Sequence, residues 1–221
     1  MRKCIVIIAA LWIIAIDALA QVTLKSEGRD TAYVSNIISR SQKIVDKLSV
    51  ADAAGRQNVL NIIANRYFTL NDIYDQYQKK VTFAKDSLPK GKAEHVIQNV
   101  TAKRDAELYK HHFEFAADLS NYLDEGQIEA VKDGMTFGVV KVTYDAYCDM
   151  IPSLKDNEKR QILAWLKEAR EFSMDAENSK KKHEWFKKYK GRINNYLSAQ
   201  GYDIDKERQE WYKRNESKKK K

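Results

Sequence analysis

The apolar residues of this chain recur every three or four positions over most of its length, which is the period of an amphipathic α-helix. In the stretch 59–81 the repeating residues are Val59, Ile63, Tyr67, Leu70, Tyr74, Tyr77 and Val81. Similar stripes run through residues 92–121, 156–173 and 179–200. Only two prolines, Pro89 and Pro152, interrupt the pattern. The pattern therefore predicts an all-α fold built as a multi-helix bundle.

Residues that cap helices predict where the helices begin and end. Asp30 and Asp52 each precede an apolar-periodic segment, so they predict the starts of two helices that form a long N-terminal helical hairpin. The clearest break follows at residues 87–91, where the sequence is S-L-P-K-G. Further predicted N-caps are Ser120 or Asn121 for a short helix, then Asp156 and Ser179, and Gly201 is the predicted C-terminal stop.

The helical rhythm breaks most clearly at residues 134–138, where Gly134 and Gly138 bracket three residues. Glycine enters the left-handed conformation without a Cβ penalty, so it ends helices readily. We predict a short helix ending near Asp133, a buried corner at 134–138 and a second helix from near Lys141. A compact C-terminal helical half then forms around this Gly-bracketed corner.

The first twenty residues predict a signal peptide. Arg2 and Lys3 precede an apolar run that is too short to span a membrane, and Ala18-Leu19-Ala20 has the small-x-small form that signal peptidase cuts. We expect cleavage between Ala20 and Gln21, location in the periplasm or outside the cell, and no stable membrane anchor afterwards. An uncleaved anchor is the alternative. Residues 21–215 are expected to form a single all-helical domain, with a subdivision near 87–91 as the alternative, followed by a basic disordered tail at 216–221.

Charge and motifs exclude several classes of function. The formal net charge is +8, but four lysines lie at positions 218–221 and the signs elsewhere are interspersed, so we expect no nucleic-acid partner. The sequence has no phosphate-binding loop, G-x-S-x-G or dinucleotide fingerprint, and we expect no cofactor. His111 and His112 lie near Glu107 and Glu114, but helical charge pairing accounts for them and we expect no metal.

Aromatic and basic residues on two C-terminal helices form the candidate ligand site. Trp185, Tyr196 and Arg192 fall along one edge of their helix, and such an edge could contact a sugar ring and its hydroxyls. The alternative is that the rings border the core and that Arg192 pairs with a carboxylate. Arg170 is similarly either in a half-buried ion pair or facing a cleft. The full candidate set is Asp133, Thr136, Trp165, Arg170, Trp185, Arg192, Asn195 and Tyr196. We expect it at the junction of the corner with the helices that carry Trp165 and Trp185.

Three sequence blocks carry a family resemblance: V-K-D-G-M-T-F-G at 131–138, I-L-A-W-L-K-E-A-R-E-F-S-M-D-A at 162–176, and K-H-E-W-F-K-K-Y-K-G-R-I-N-N-Y-L-S-A-Q-G-Y at 182–202. With the stretch Asn61–Asp75, they resemble an exported bacterial family of unknown function to which sugar binding has been ascribed. It occurs in Gram-negative bacteria that break down polysaccharides. Residues 123–127 depart from the Leu-Thr-Pro-Glu-Gln-like helix start that the resemblance implies. The resemblance implies no catalytic residue for this chain.

Three hypotheses of function follow. The first is a periplasmic carbohydrate-binding accessory protein associated with polysaccharide breakdown, whose partner is an oligo- or polysaccharide. The second is a helical periplasmic chaperone or stress protein. The third is a lyase or hydrolase that acts on acidic sugars, with Arg170 or Arg192 binding a uronate. We expect a binding protein rather than an enzyme.

Overall fold

The computed structural model describes residues 21–50 and 52–219, and the predicted signal peptide lies outside them. The described residues form eight α-helices and no strand, so the predicted all-α class is confirmed. The helices are α1 Thr31–Val45, α2 Ala53–Ser87, α3 Lys90–Ser120, α4 Glu125–Met135, α5 Val139–Met150, α6 Asp156–Met174, α7 Ser179–Ala199 and α8 Ile204–Lys219.

The N-terminal half is built around α2. Helix α1 packs antiparallel on its first part, as the predicted hairpin requires, and α3 then pairs antiparallel with α2 over a greater length. Helices α1 to α4 enclose the first apolar core, because their stripes of Ile, Leu, Val and Phe side chains face one another. This core includes Val45, Val59, Ile63, Phe115, Leu119, Val131 and Met135.

An extended segment at residues 21–26, which we call the N-terminal strap, lies along α2. Asn58 accepts a hydrogen bond from the backbone nitrogen of Val22 at 2.9 Å, and Asn65 accepts one from that of Lys25 at 2.8 Å. Asn61 donates to the Val22 carbonyl at 2.7 Å. These asparagines recur at helical spacing and are buried, so they satisfy a backbone that has no helix or sheet partner.

Several predicted helix ends are confirmed and others are wrong. Asp30 and Asp52 cap α1 and α2. Each carboxylate accepts a hydrogen bond from the backbone nitrogen three residues later, that of Tyr33 at 2.8 Å and that of Gly55 at 2.6 Å. Gly201 follows α7 with φ of +97°. The short helix α4 is capped by Asp124, whose side chain forms a capping box with Gln127, and not by Ser120 or Asn121. Helices α6 and α7 each begin one residue before the prediction, with N-caps at Lys155 and Asn178.

The predicted corner lies between α4 and α5, but it is shorter than predicted, since α4 ends at Met135 and α5 begins at Val139, and it is only partly buried, since Phe137 is 51% exposed. Phe137 and Gly138 both have positive φ, +62° and +66°, and this left-handed backbone redirects the chain between the two helices. The Thr136 hydroxyl is fully buried and donates to the Lys132 carbonyl at 2.8 Å, closing the end of α4. A buried Lys182 ammonium from α7 donates to the Met135 carbonyl at 2.9 Å, so the first turn of α7 holds the corner in place.

A second apolar core lies among α5, α6, α7 and α8 and includes Tyr147, Ile151, Ile162, Leu166, Phe186, Ile193 and Leu197. Helix α8 packs against α5 and continues to Lys219, beyond the predicted domain boundary at 215. Among the described helices, none combines the length and apolar character needed to cross a membrane.

Candidate functional site

A cleft of about 540 Å³ opens between α3 and the connection from α6 to α7. We call it the aromatic cleft. Its lining residues are Tyr74, Arg104, Asp105, Leu108, Tyr109, Phe172, Asp175, Ala176, Glu177, Lys181 and Trp185. Helix α6 ends at Met174 and α7 begins at Ser179, so the turn between them places two acidic residues against the middle of α3.

Exposed aromatic rings form the walls of the aromatic cleft. Phe172 stacks on Trp185 with ring centroids 4.6 Å apart and an angle of 16° between the planes. Tyr109 on the opposite helix is 70% exposed, and its ring meets Phe113 edge-on at 5.0 Å. Phe113 is itself 57% exposed. A cluster of exposed aromatic rings is typical of a ligand or partner site, whereas single exposed apolar residues are normal on any protein surface.

Polar groups stand between these rings. The Arg104 guanidinium is held by Asp105, whose carboxylate accepts from Nε at 2.9 Å and from Nη2 at 2.6 Å, and it lies 4.4 Å from the Tyr77 ring centroid. The Tyr74 hydroxyl donates to the Asp175 carbonyl at 2.8 Å. Burial raises the pKa of Tyr74 to about 12, so it stays a neutral hydrogen-bonding group.

Behind the aromatic cleft runs a continuous row of ion pairs that we call the charged seam. It consists of Arg66, His112, Glu129, Lys132, Asp133, Arg170, Glu171 and Asp175. The Asp175 carboxylate accepts from the buried Arg66 guanidinium and contacts His112 Nδ1 at 2.9 Å. Glu171 lies 3.5 Å from His112 Nε2 and 3.0 Å from the Lys132 ammonium.

The charged seam holds its histidine in the protonated state. Hydrogen bonds to Asp175 and then to Glu171 raise the pKa of His112 to about 9. Burial alone would raise the pKa of Glu171, but its bonds from His112, Lys132 and Arg170 prevail and lower it to about 2. Both ring nitrogens of His112 are engaged, so this imidazolium cannot act as a general base near neutral pH.

The structure distributes the eight predicted site residues over three places. Asp133 and Arg170 come together at the corner, where Arg170 Nη1 donates to Asp133 at 2.9 Å and Nη2 donates to Glu129 at 2.7 Å. Arg170 is only 2% exposed, which corresponds to the ion-pair alternative. Thr136 is fully buried, and its hydroxyl donates to the Lys132 backbone carbonyl. No ligand can reach Thr136 without moving the corner.

Trp165, Arg192 and Tyr196 form a second group, on the face shared by α6 and α7. The Arg192 guanidinium lies 4.5 Å from the Trp165 ring centroid and pairs with Glu168 at 3.3 Å. Tyr196 meets Trp165 edge-on at 5.2 Å. Asn195 is exposed on the same helix. Trp185 alone lines the aromatic cleft, so among the described clefts none brings all eight residues together.

Of the cleft residues, the sequence prediction contains Trp185 but misses the others, among them Tyr74, Arg104, Tyr109, Phe172 and Asp175. The sequence contained one usable signal, since Tyr109 and Phe113 are aromatic residues four positions apart and off the apolar stripe of α3. For metals, no group of three or more His, Cys, Asp or Glu side chains in the described part of the chain is placed to bind an ion. His111 instead pairs with Glu114 at 2.6 Å.

The described residues form an all-helical domain with two apolar cores, a charged seam and an aromatic-walled cleft. Residues 34–217 match the family described as protein of unknown function (DUF3826), and the chain belongs to that family. A comparison with curated proteins found no significant match.

Proposed function

We propose that this protein binds a saccharide in the aromatic cleft. The observation that carries the proposal is the placing of the exposed Tyr109 ring opposite the stacked Phe172 and Trp185, with Arg104 and Asp175 between them. Aromatic rings accept the apolar C–H face of a sugar, while guanidinium and carboxylate groups form hydrogen bonds with its hydroxyls.

Binding explains the cleft better than catalysis does. Acid–base catalysis needs groups whose pKa lies near the working pH. In the aromatic cleft, the pKa of Tyr74 is raised to about 12 by burial, which moves it away from neutrality. His112, behind the cleft, is fixed as an imidazolium by Asp175 and Glu171. The family resemblance and the predicted signal peptide support an exported accessory protein acting beside polysaccharide-degrading enzymes.

The proposal is tested by calorimetry with a panel of plant and host oligosaccharides. Tyr109→Ala and Phe172→Ala each remove one wall of the aromatic cleft and should weaken binding about tenfold, equivalent to about 1.4 kcal/mol. The matched control is Tyr212→Ala, which removes a 54% exposed ring on α8 and should bind like wild type. Absence of binding to every saccharide, or equal weakening by the control, would refute the proposal.

Export belongs to the same proposal and has its own measurement. Fractionation of the native host followed by N-terminal sequencing should recover the protein outside the cytoplasm with Gln21 as its first residue. Recovery of the intact Met1 end in the cytoplasmic fraction would contradict a periplasmic or secreted location.

A further inference from the structure

A second groove continues from the aromatic cleft along the hairpin of α2 and α3. Its volume is about 420 Å³, and we call it the basic groove. Arg104 lines both openings, so a ligand that occupies one can extend past this residue into the other. Tyr77 continues the aromatic lining on the groove side, 4.4 Å from the Arg104 guanidinium carbon.

The basic groove carries an excess of positive charge. Its lining includes Lys25, Lys80, Lys103 and Arg104 against the acidic Asp72 and Glu107. Asp72 is already bound by both terminal nitrogens of Arg29, at 2.8 and 2.6 Å. Glu107 lies 3.8 Å from His111. Asp72 is thus occupied by a cation outside the groove, whereas Glu107 leaves one negative charge among the cations of the groove.

Lys80 and Lys103 face each other across the groove from α2 and α3, and both are exposed. Neither takes part in an ion pair with another residue of the described chain. Arg104 donates hydrogen bonds to Asp105 from Nε and Nη2, while its Nη1 has no acceptor among the described residues. Lys80 and Lys103 therefore line the path without an ion pair among the described residues, and Arg104, although paired with Asp105, keeps Nη1 available.

We infer that the saccharide is acidic and oligomeric, running from the aromatic cleft across Arg104 into the basic groove, where Lys80 and Lys103 pair with its acid groups. The inference rests on the proposed function and adds the ligand class. Each opening lies within the range of about 300–1,000 Å³ that is typical of a ligand pocket, so two openings that share Arg104 have room for more than one sugar unit. Carboxylate and sulfate groups share the required chemistry, because both accept hydrogen bonds from ammonium and guanidinium donors.

Matched polymers test the charge requirement. Polygalacturonate is compared with its carboxyl-reduced form, which keeps the linkages and loses the charge, and dextran sulfate is compared with dextran. Calorimetry at low and high salt should show at least tenfold tighter binding for one acidic polymer than for its neutral partner. Salt should reduce the difference, because exposed charges are screened. The pair that shows the preference identifies carboxylate or sulfate as the acid group.

Charge variants test the path. Lys80→Gln with Lys103→Gln should weaken binding of the acidic polymer roughly three- to tenfold and leave its neutral partner unaffected. Lys43→Gln with Lys47→Gln is the matched control, since both lysines are exposed on another surface. Equal affinity for acidic and neutral polymers, or an acidic preference that survives the double substitution, would overturn the inference and leave saccharide binding intact. Binding to no saccharide would refute the proposed function as well.

Discussion

Replacing His112 by glutamine should remove most of the pH dependence that the charged seam gives to folding stability. Glutamine keeps a hydrogen-bonding side chain of similar reach but cannot carry a proton. In the folded protein the pKa of His112 is raised to about 9 by Asp175 and Glu171. Because the folded pKa lies above the unfolded value of about 6.5, the stabilisation is complete below pH 6.5 and is lost as the pH rises through 9.

The magnitude follows from the difference between the folded and unfolded pKa of His112. A pKa difference of one corresponds to about 1.36 kcal/mol, which sets an upper limit of roughly 3 kcal/mol for His112. The imidazole is 21% exposed, so solvent screens part of this interaction. We therefore expect about 1–2 kcal/mol of pH-dependent stabilisation. Asp175 retains Arg66 and Glu171 retains Lys132 in the variant, so the protein should still fold.

Lys182 also contributes to the dependence of wild-type stability on pH, so the experiment must separate its contribution from that of His112. Burial, with the nearby Arg40 and Arg66 charges, lowers the pKa of Lys182 to about 8, below its unfolded value. The lowered pKa makes stability rise with pH between about 8 and 10, opposite to the effect of His112. The quantity to measure is therefore the difference between wild type and His112→Gln, in which the contribution of Lys182 cancels.

Urea unfolding followed by circular dichroism at pH 6, 7.5 and 9.5 gives this difference. It should be about 1–2 kcal/mol at pH 6 and shrink towards zero at pH 9.5. His95→Gln, an exposed position on the same helix, is the control and should follow the wild type at every pH. A difference that does not change with pH, or a His112 pKa near 6.5 by NMR titration, would refute the reasoning.

Two further predictions concern stability. Gly134→Ala should be about 1–3 kcal/mol less stable than Gly191→Ala by urea unfolding. The new Cβ at position 134 would lie 3.0 Å from the Ile44 side chain, whereas a Cβ at position 191 would meet open space. Equal stability of the two variants would show that Ile44 of α1 moves aside without cost. Asn65→Ala should lower the free energy of unfolding by about 1–2 kcal/mol and speed amide hydrogen exchange in the N-terminal strap. Asn71→Ala on the same helix is the control and should do neither. Unchanged exchange in Asn65→Ala would show that this asparagine does not hold the strap.

Most of the helices could be predicted because their signals are local. The 3.6-residue period and the N-caps Asp30 and Asp52 depend only on neighbouring residues. The start of α4 was missed because Ser120 and Asn121 are cap-forming residues that end α3 instead. The pair Asp124 and Gln127 carried the capping-box signal that decides between them.

The candidate site could be predicted only in small part because it is assembled from distant segments. Tyr74, Arg104 and Asp175 come from three helix regions, and none has a neighbour in sequence that marks it. For Arg170 the sequence left an ion pair and a cleft role open, and it did not indicate that Glu129 and Asp133 of α4 pair with it alongside Glu171 from its own helix. Charge complementarity between helices is a tertiary property, so spacing within one helix does not reveal it.

The charged seam also determines how the molecule behaves as a cooperative unit. It lies between the two apolar cores, and it joins the halves together with Met174 of α6, which packs in the first core, and with polar contacts such as that of Lys182 with the Met135 carbonyl. Apolar burial and ion pairing respond in opposite directions to salts such as sulfate. Added sulfate is therefore expected to stabilise the apolar core of each half while it weakens the ion pairs between the halves. The breadth of the unfolding transition then measures how cooperatively the two halves unfold.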